Sequence, residues 1–150
     1  VIPFFLDKKK SGTLPITDPE MTRFNITLSQ GVDMVLYALE NAWGGELFVP
    51  KIPSYNIMDL AKAIDPSCKT KVIGIRPGEK VHEEMISSSD SYNTYDIGKY
   101  YVILPTIVKW ELEAFISKFN AEKAPIGFNY NSKENNKFLS ASELNKLIYY

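Results

Sequence analysis

The alternation of apolar and polar residues divides the chain into short segments of changing period. Val1 to Lys10 reads as the end of a helix, its apolar residues Ile2, Phe4, Phe5 and Leu6 giving way to Asp7 and three lysines before Ser11-Gly12 stops it. Leu14 to Asp18 reads as extended, because the residue before Pro19 is pushed out of the helical region. From Leu28 to Ala42 the residues Leu28, Val32, Val35, Leu36 and Leu39 recur every three or four positions, the mark of a helix with one apolar face. Thr27 and Gln30 have capping-box spacing at its start, and Gly44-Gly45 follows its end. Glu46 to Val49 reads as a buried strand and Pro50 to Pro53 as a rigid loop. Ile57 to Ile64 reads as a second helix, with Asn56 as its cap and Asp59 in its first turn.

The second half is more broken. Lys71 to Ile75 is β-rich and closes on the turn Arg76-Pro77-Gly78, after which Glu79 to Ile86 reads as a third helix. Thr94 to Ile97 and Tyr100 to Leu104 pair as strands around Gly98. Val108 to Phe119 reads as a helix and the asparagine-rich stretch Phe128 to Lys137 as a surface loop. Ser140 to Ile148 is a final helix, with Ser140 and Glu143 at capping-box positions. The pattern predicts one mixed α/β domain over residues 1–150, without internal repeats.

Composition narrows the partners. The chain has 150 residues, 45% of them hydrophobic and 23% charged, which suits one ordinary globular core. A net charge of −1 gives no reason to expect nucleic acid or an anionic membrane as partner. No apolar run approaches the roughly 20 residues that span a bilayer. The one cysteine, Cys68, cannot form an internal disulfide, which points to a reducing, cytoplasmic setting and an ordinary thiol. The chain opens at Val1 within an apolar segment and so reads as a portion of a longer protein.

The candidate chemistry gathers at the strand–turn–helix unit around Arg76. A helix N-terminus offers free N–H groups and a positive dipole end to phosphate. An arginine adds a planar fork that grips two phosphate oxygens, and Glu79 is an acceptor for ribose hydroxyls. The same pair also reads as an Arg–Glu cap on a turn, and the pattern alone leaves both open. Asp18, Thr22 and Arg23 form a second polar group ahead of the long helix, which from pattern alone reads more simply as a surface charge at Arg23 and a turn hydroxyl at Thr22. His82, the single histidine, has no Cys or His neighbour with which to hold zinc. No GxGxxG, no P-loop and no nucleophile with an evident His and Asp partner occur.

Three blocks resemble a known family. Leu14-Pro15-Ile16-Thr17-Asp18-Pro19-Glu20-Met21-Thr22-Arg23-Phe24, Gly45-Glu46-Leu47-Phe48-Val49-Pro50-Lys51-Ile52-Pro53-Ser54 and Ile73-Gly74-Ile75-Arg76-Pro77-Gly78-Glu79-Lys80-Val81-His82-Glu83-Glu84-Met85 resemble, in order and spacing, signatures of bacterial UDP-N-acetylglucosamine 4,6-dehydratases. These are inverting enzymes of the pseudaminic and legionaminic acid pathways, with relatives in capsule biosynthesis. The likeness is strong from residue 1 to about 105 and weaker from 106 to 150. It implies the small mixed α/β substrate-binding lobe of an extended short-chain dehydrogenase, without the Rossmann domain that holds NADP and the catalytic set. It also implies that Arg76 and Glu79 hold diphosphate and ribose, and that Met21, Thr22 and Arg23 line the same cleft. UDP or UDP-N-acetylglucosamine is then the ligand, and the missing Rossmann domain a partner. The lobe alone is expected to bind no NADP, to be inactive and to self-associate. A related UDP-sugar epimerase or reductase is the alternative among enzymes, and a noncatalytic assembly module the alternative outside them.

Overall fold

A computed structural model describes residues 1–149. In chain order the elements are α1 (Ile2–Lys8), β1 (Thr13–Ile16), β2 (Thr22–Phe24), α2 (Leu28–Asn41), β3 (Leu47–Pro50), β4 (Ser54–Asn56), α3 (Ile57–Ile64) and β5 (Lys69–Val72). They continue with β6 (Glu84–Ile86), β7 (Thr94–Asp96), β8 (Tyr100–Ile103), α4 (Leu112–Phe119), β9 (Glu122–Lys123), β10 (Tyr130–Asn131) and α5 (Ala141–Tyr149). The mixed α/β character expected from the sequence is what the structure has. Its residues gather into two compact units, each built from separate stretches of chain.

Unit 1 comprises Val1–Asn25, Pro53–Glu83 and the chain from Ser132 onward. Strand β1 pairs in parallel with β5, and β2 pairs antiparallel with β4. The core holds Phe5, Leu14, Ile16, Met21, Tyr55, Leu60, Ile64, Leu139 and Leu144. Helix α3 shows why these residues fold this way. Ile57, Leu60, Ala61 and Ile64 fall on one face and all are buried, Leu60 completely. Asn56 caps the helix by accepting the Met58 N–H at 2.7 Å. Its C-terminal carbonyls, which have no partner within a helix, receive side chains: Asn145 donates to Ala63 O at 2.7 Å, and both Lys9 (3.1 Å) and Tyr149 (3.2 Å) donate to Ile64 O. Helix α5 starts at the expected capping box, Glu143 N donating to the Ser140 hydroxyl and Ser140 N to the Glu143 carboxylate.

Unit 2 comprises Ile26–Ile52 and Glu84–Asn131. A four-stranded antiparallel sheet runs β3-β8-β7-β9, and β6 pairs with β10. The hairpin β7–β8 turns where Gly98 takes a positive φ of 84°, a conformation only glycine adopts freely. Its core is aromatic: Phe115 lies 4.9 Å from Trp110, 5.5 Å from Trp43 and 4.6 Å from Phe119 by ring centroids. The capping box of α2 forms as expected, with Thr27 accepting Gln30 N and the Gln30 side chain accepting Thr27 N. Its apolar face lies open instead of buried: Leu28 is 87% exposed, Leu39 76%, and no residue of the helix is buried. An open groove of about 450 Å³ runs beside it, lined by Met34, Val35, Ala38, Leu39, Leu47 and Phe48 among others.

Three expectations are corrected. Glu79 to Ile86 is not a helix; turns and bends lead directly into β6 at Glu84. The reason is tertiary: the carbonyls of Lys80 and Val81, which a helix would use internally, accept hydrogen bonds from β2. Phe128 to Lys137 is not only surface loop, since it contains β10, buried Tyr130 and fully buried Ser132. The helix after Val108 begins only at Leu112.

Candidate nucleotide site

In unit 1 a cavity of about 210 Å³ is built from four stretches of sequence. Helix α1 contributes Phe4 and Phe5, the run from β1 to β2 contributes Pro15, Thr17, Met21 and Arg23, and α3 contributes Ile57. Ile73, Arg76 and Glu79 come from the segment after β5. The floor is apolar, with Phe5, Met21 and Ile57 buried; Phe4 is half exposed beside Phe5, the rings 6.2 Å apart.

The polar rim has a definite geometry. Glu79 N donates to Arg76 O at 3.0 Å, and Arg76 N donates to the Glu79 carboxylate at 2.9 Å. This closes a tight turn at Pro77-Gly78, where Gly78 has φ 86°. The backbone, not the Arg76 side chain, satisfies the turn. Among the described residues the Arg76 guanidinium takes no hydrogen-bond or ion-pair partner, so its fork is available to a ligand. Since no helix starts at Glu79, the positive end of a helix dipole plays no part here. What remains for an anion is the Arg76 side chain itself.

Arg23 lines the same cavity but is committed elsewhere. Its guanidinium donates to the carbonyls of Thr22 (2.6 Å), Val81 (3.0 Å) and Lys80 (3.0 Å), and its Nε lies 3.5 Å from the Glu83 carboxylate. Thr22 is buried outside the cavity lining, its hydroxyl 2.8 Å from His82 Nδ1 and 2.6 Å from the Ser132 hydroxyl. His82 is thus held in a hydroxyl network. Burial, then the nearby Glu83, push the Tyr55 phenol above its ordinary value, with Arg23 working the other way. Desolvation, then Asp65, push the Cys68 thiol up, away from thiolate character. Among the described residues no cluster of His, Cys, Asp or Glu could hold a metal ion.

The structure therefore brings together Met21, Arg23, Arg76 and Glu79 of the residues singled out from sequence, and leaves Thr22 behind the wall. Sequence reading missed the floor: Phe4, Phe5, Thr17, Ile57 and Ile73. For Phe4, Phe5 and Ile73 the signal was the apolar run at the chain's opening and at Ile73-Gly74-Ile75; Thr17 and Ile57 carried none. A second cavity, of about 280 Å³ in unit 2, is lined by Tyr101, Phe128, Asp96 and Glu122 among others. Lys51 answers Asp96 there, 2.6 Å from both carboxylate oxygens and 4.5 Å above the Tyr101 ring.

The cavity thus sets an apolar floor beside an arginine whose guanidinium has no protein partner among the described residues and a carboxylate that can accept hydrogen bonds. The chain belongs to the polysaccharide biosynthesis protein family, whose pattern matches residues 1–105. It is 47% identical over 155 residues to the UDP-N-acetylglucosamine 4,6-dehydratase (inverting) of Campylobacter jejuni subsp. jejuni serotype O:23/36 (strain 81-176), covering 99% of this chain and 46% of that protein. It is 44% identical over 108 residues to the UDP-glucose 4-epimerase of Rickettsia akari (strain Hartford), covering 69% of this chain and 32% of that one. The X-ray structure of Pen from Bacillus thuringiensis superposes with a TM-score of 0.78 at 30% identity, over 99% of this chain and 44% of Pen. The chain spans about half the length of the curated relatives it matches. Among the described residues no helix is long and apolar enough to cross a membrane.

Proposed function

We propose that this chain is the C-terminal, UDP-sugar-binding part of a cytoplasmic UDP-N-acetylglucosamine 4,6-dehydratase of the extended short-chain dehydrogenase kind. The observation that carries the reading is the free Arg76 fork set over an apolar floor, with Glu79 beside it. Arg76 takes the diphosphate, Glu79 the ribose hydroxyls, and Met21 with its apolar neighbours the nucleobase side of the cleft. Thr22 and Arg23 belong to the same site through the wall they build. The dehydratase is favoured over the epimerase because the match to the former runs through 99% of the chain and the match to the latter through 69%.

On this reading NADP is held outside this chain, a view supported by the lack, among the described residues, of a helix opening on a glycine turn of the kind that admits a pyrophosphate. In the full-length enzyme NADP and the acid–base groups come from the half of the fold outside this chain. Alone, the chain holds substrate without turning it over, and the open face of α2 leads it to self-associate. Titration calorimetry with UDP, beside a thermal melt, tests the site. Arg76→Lys keeps the charge but not the two parallel hydrogen bonds. Losing one charge-assisted bond, roughly 1.5–3 kcal/mol, weakens UDP by about 10- to 150-fold, with the melt unchanged. Unchanged affinity with a lowered melting point removes Arg76 from the phosphate and returns it to the turn.

A further inference from the structure

We propose that Arg23 is a positioning residue, which sets the Arg76–Glu79 turn in place by lashing the chain behind it to β2. The inference rests on the UDP-site reading above and deepens it.

The segment from Ile73 to Glu83 is the least packed part of the cavity wall. Residues 73–80 are exposed and 81–83 half-buried, and no helix or strand runs through them. A loop without apolar burial is held by its hydrogen bonds or not at all. At its start, Ile73 N donates to Ile16 O at 2.8 Å. Within it, only the Arg76–Glu79 turn bonds are made. At its end the bonds crowd: Thr22 N donates to Val81 O at 3.1 Å, and Phe24 N donates to the Glu83 carboxylate at 3.1 Å. Glu83 N donates to the Ser132 hydroxyl at 2.9 Å, and Ser132 N donates to Glu83 O at 2.7 Å.

Arg23 is the centre of this lashing. Three of its N–H groups go to main-chain carbonyls, two of them in the loop, and its Nε faces the Glu83 carboxylate. The side chain is 15% exposed. A planar fork holds carbonyls in several directions at once, which a lysine cannot do. A residue whose donors are directed into its own backbone has little left with which to grip a phosphate. Arg76, three residues upstream of Glu79 in the same loop, has its donors free. The two arginines of the cavity thus divide the work: one holds the loop, the other holds the ligand.

Amide hydrogen exchange of the unliganded chain, read at the hydrogen-bonded amides of Glu79 and Glu83, separates holding from gripping. In Arg23→Lys these amides exchange at least about tenfold faster, the scale of one lost charge-assisted bond. Exchange in α3 stays unchanged, and UDP affinity falls by about the same factor. Weakened UDP with unaltered exchange at Glu79 and Glu83 overturns the proposal, because Arg23 then touches the ligand directly. Faster exchange with UDP affinity intact also overturns it. Should Arg23→Lys loosen the whole unit, Ser132→Ala decides: faster exchange confined to the loop with weaker UDP supports the lashing, and a loosening of α3 as well sinks it. If wild type itself takes up no UDP, the UDP-site reading fails, while the exchange arm still tells whether Arg23 fixes the loop.

Discussion

Helices α3 and α2 carry the same sequence signature and meet opposite fates. Each has a capping side chain at its first turn and apolar residues every three or four positions. In unit 1 the face of α3 is closed over by α5, α1 and β1, and Leu60 has no exposure at all. In unit 2 the face of α2 meets chiefly β3, through Tyr37 against Phe48, and its leucines stand in solvent. Periodicity states that a helix has an apolar side. It does not state that the partner for that side lies in the same stretch of chain. Among the described residues no part of unit 2 buries that face.

The widest gap between the two helices should appear on truncating a leucine. Leu60→Ala removes a fully buried side chain and costs about 2–5 kcal/mol, whereas Leu39→Ala, on an exposed site, stays within about 0.5 kcal/mol. Chemical denaturation of both variants checks this; equal losses would mean that α2 is buried in solution. Charge on the open face comes next. Leu28→Glu together with Leu39→Glu shifts sedimentation toward monomer and leaves the melting point in place. Retained self-association places the contact elsewhere, with half-exposed Phe4 of α1 as the next candidate.

Removing caps is a smaller perturbation. Asn56→Ala costs about 1 kcal/mol, and Thr27→Ala costs less, because α2 contributes little to a packed core. Acid gives the smallest effect and falls mostly on unit 1. Hydrogen bonds from the Ser67 side chain and backbone hold the Asp65 carboxyl below its ordinary value, and those from the Ser140 backbone and hydroxyl do the same for Glu143. A carboxyl whose folded pKa is lowered contributes stability above its unfolded value and loses it as pH falls through the folded one. The contribution of these two carboxyls is therefore complete only above their ordinary values, 3.8 for Asp65 and 4.5 for Glu143, and is lost as pH falls through the lower folded values. Asp90, bonded to Ser87, is the corresponding group in unit 2. In Glu143→Gln the acid decline is shallower; an identical pH profile shows that the capping box carries no charge-dependent stability.

Much of this was legible in the chain itself. The capping pairs Thr27/Gln30 and Ser140/Glu143 and the cap Asn56 are local chemistry, and all form. The β7–β8 hairpin is local too, set by Gly98. What failed depended on distant partners. Glu79 to Ile86 has helical spacing, yet its carbonyls are claimed by β2, about sixty residues earlier in the chain. Within the cavity, Arg76 and Glu79 stood out because charge beside Pro-Gly is conspicuous. Phe4, Thr17 and Ile57 did not, because only the fold brings α1, β1 and α3 to one wall.

The interleaving of the two units bears on how the protein is made. Unit 1 is spread over three stretches of chain, and two of its core leucines, Leu139 and Leu144, belong to the last. Synthesis runs at about 5–20 residues per second, so Leu14 waits on the order of ten seconds after leaving the ribosome for Leu144 to join it. During that interval β1 and α3 carry apolar surface without its final cover, and the exposed α2 has already emerged alongside them.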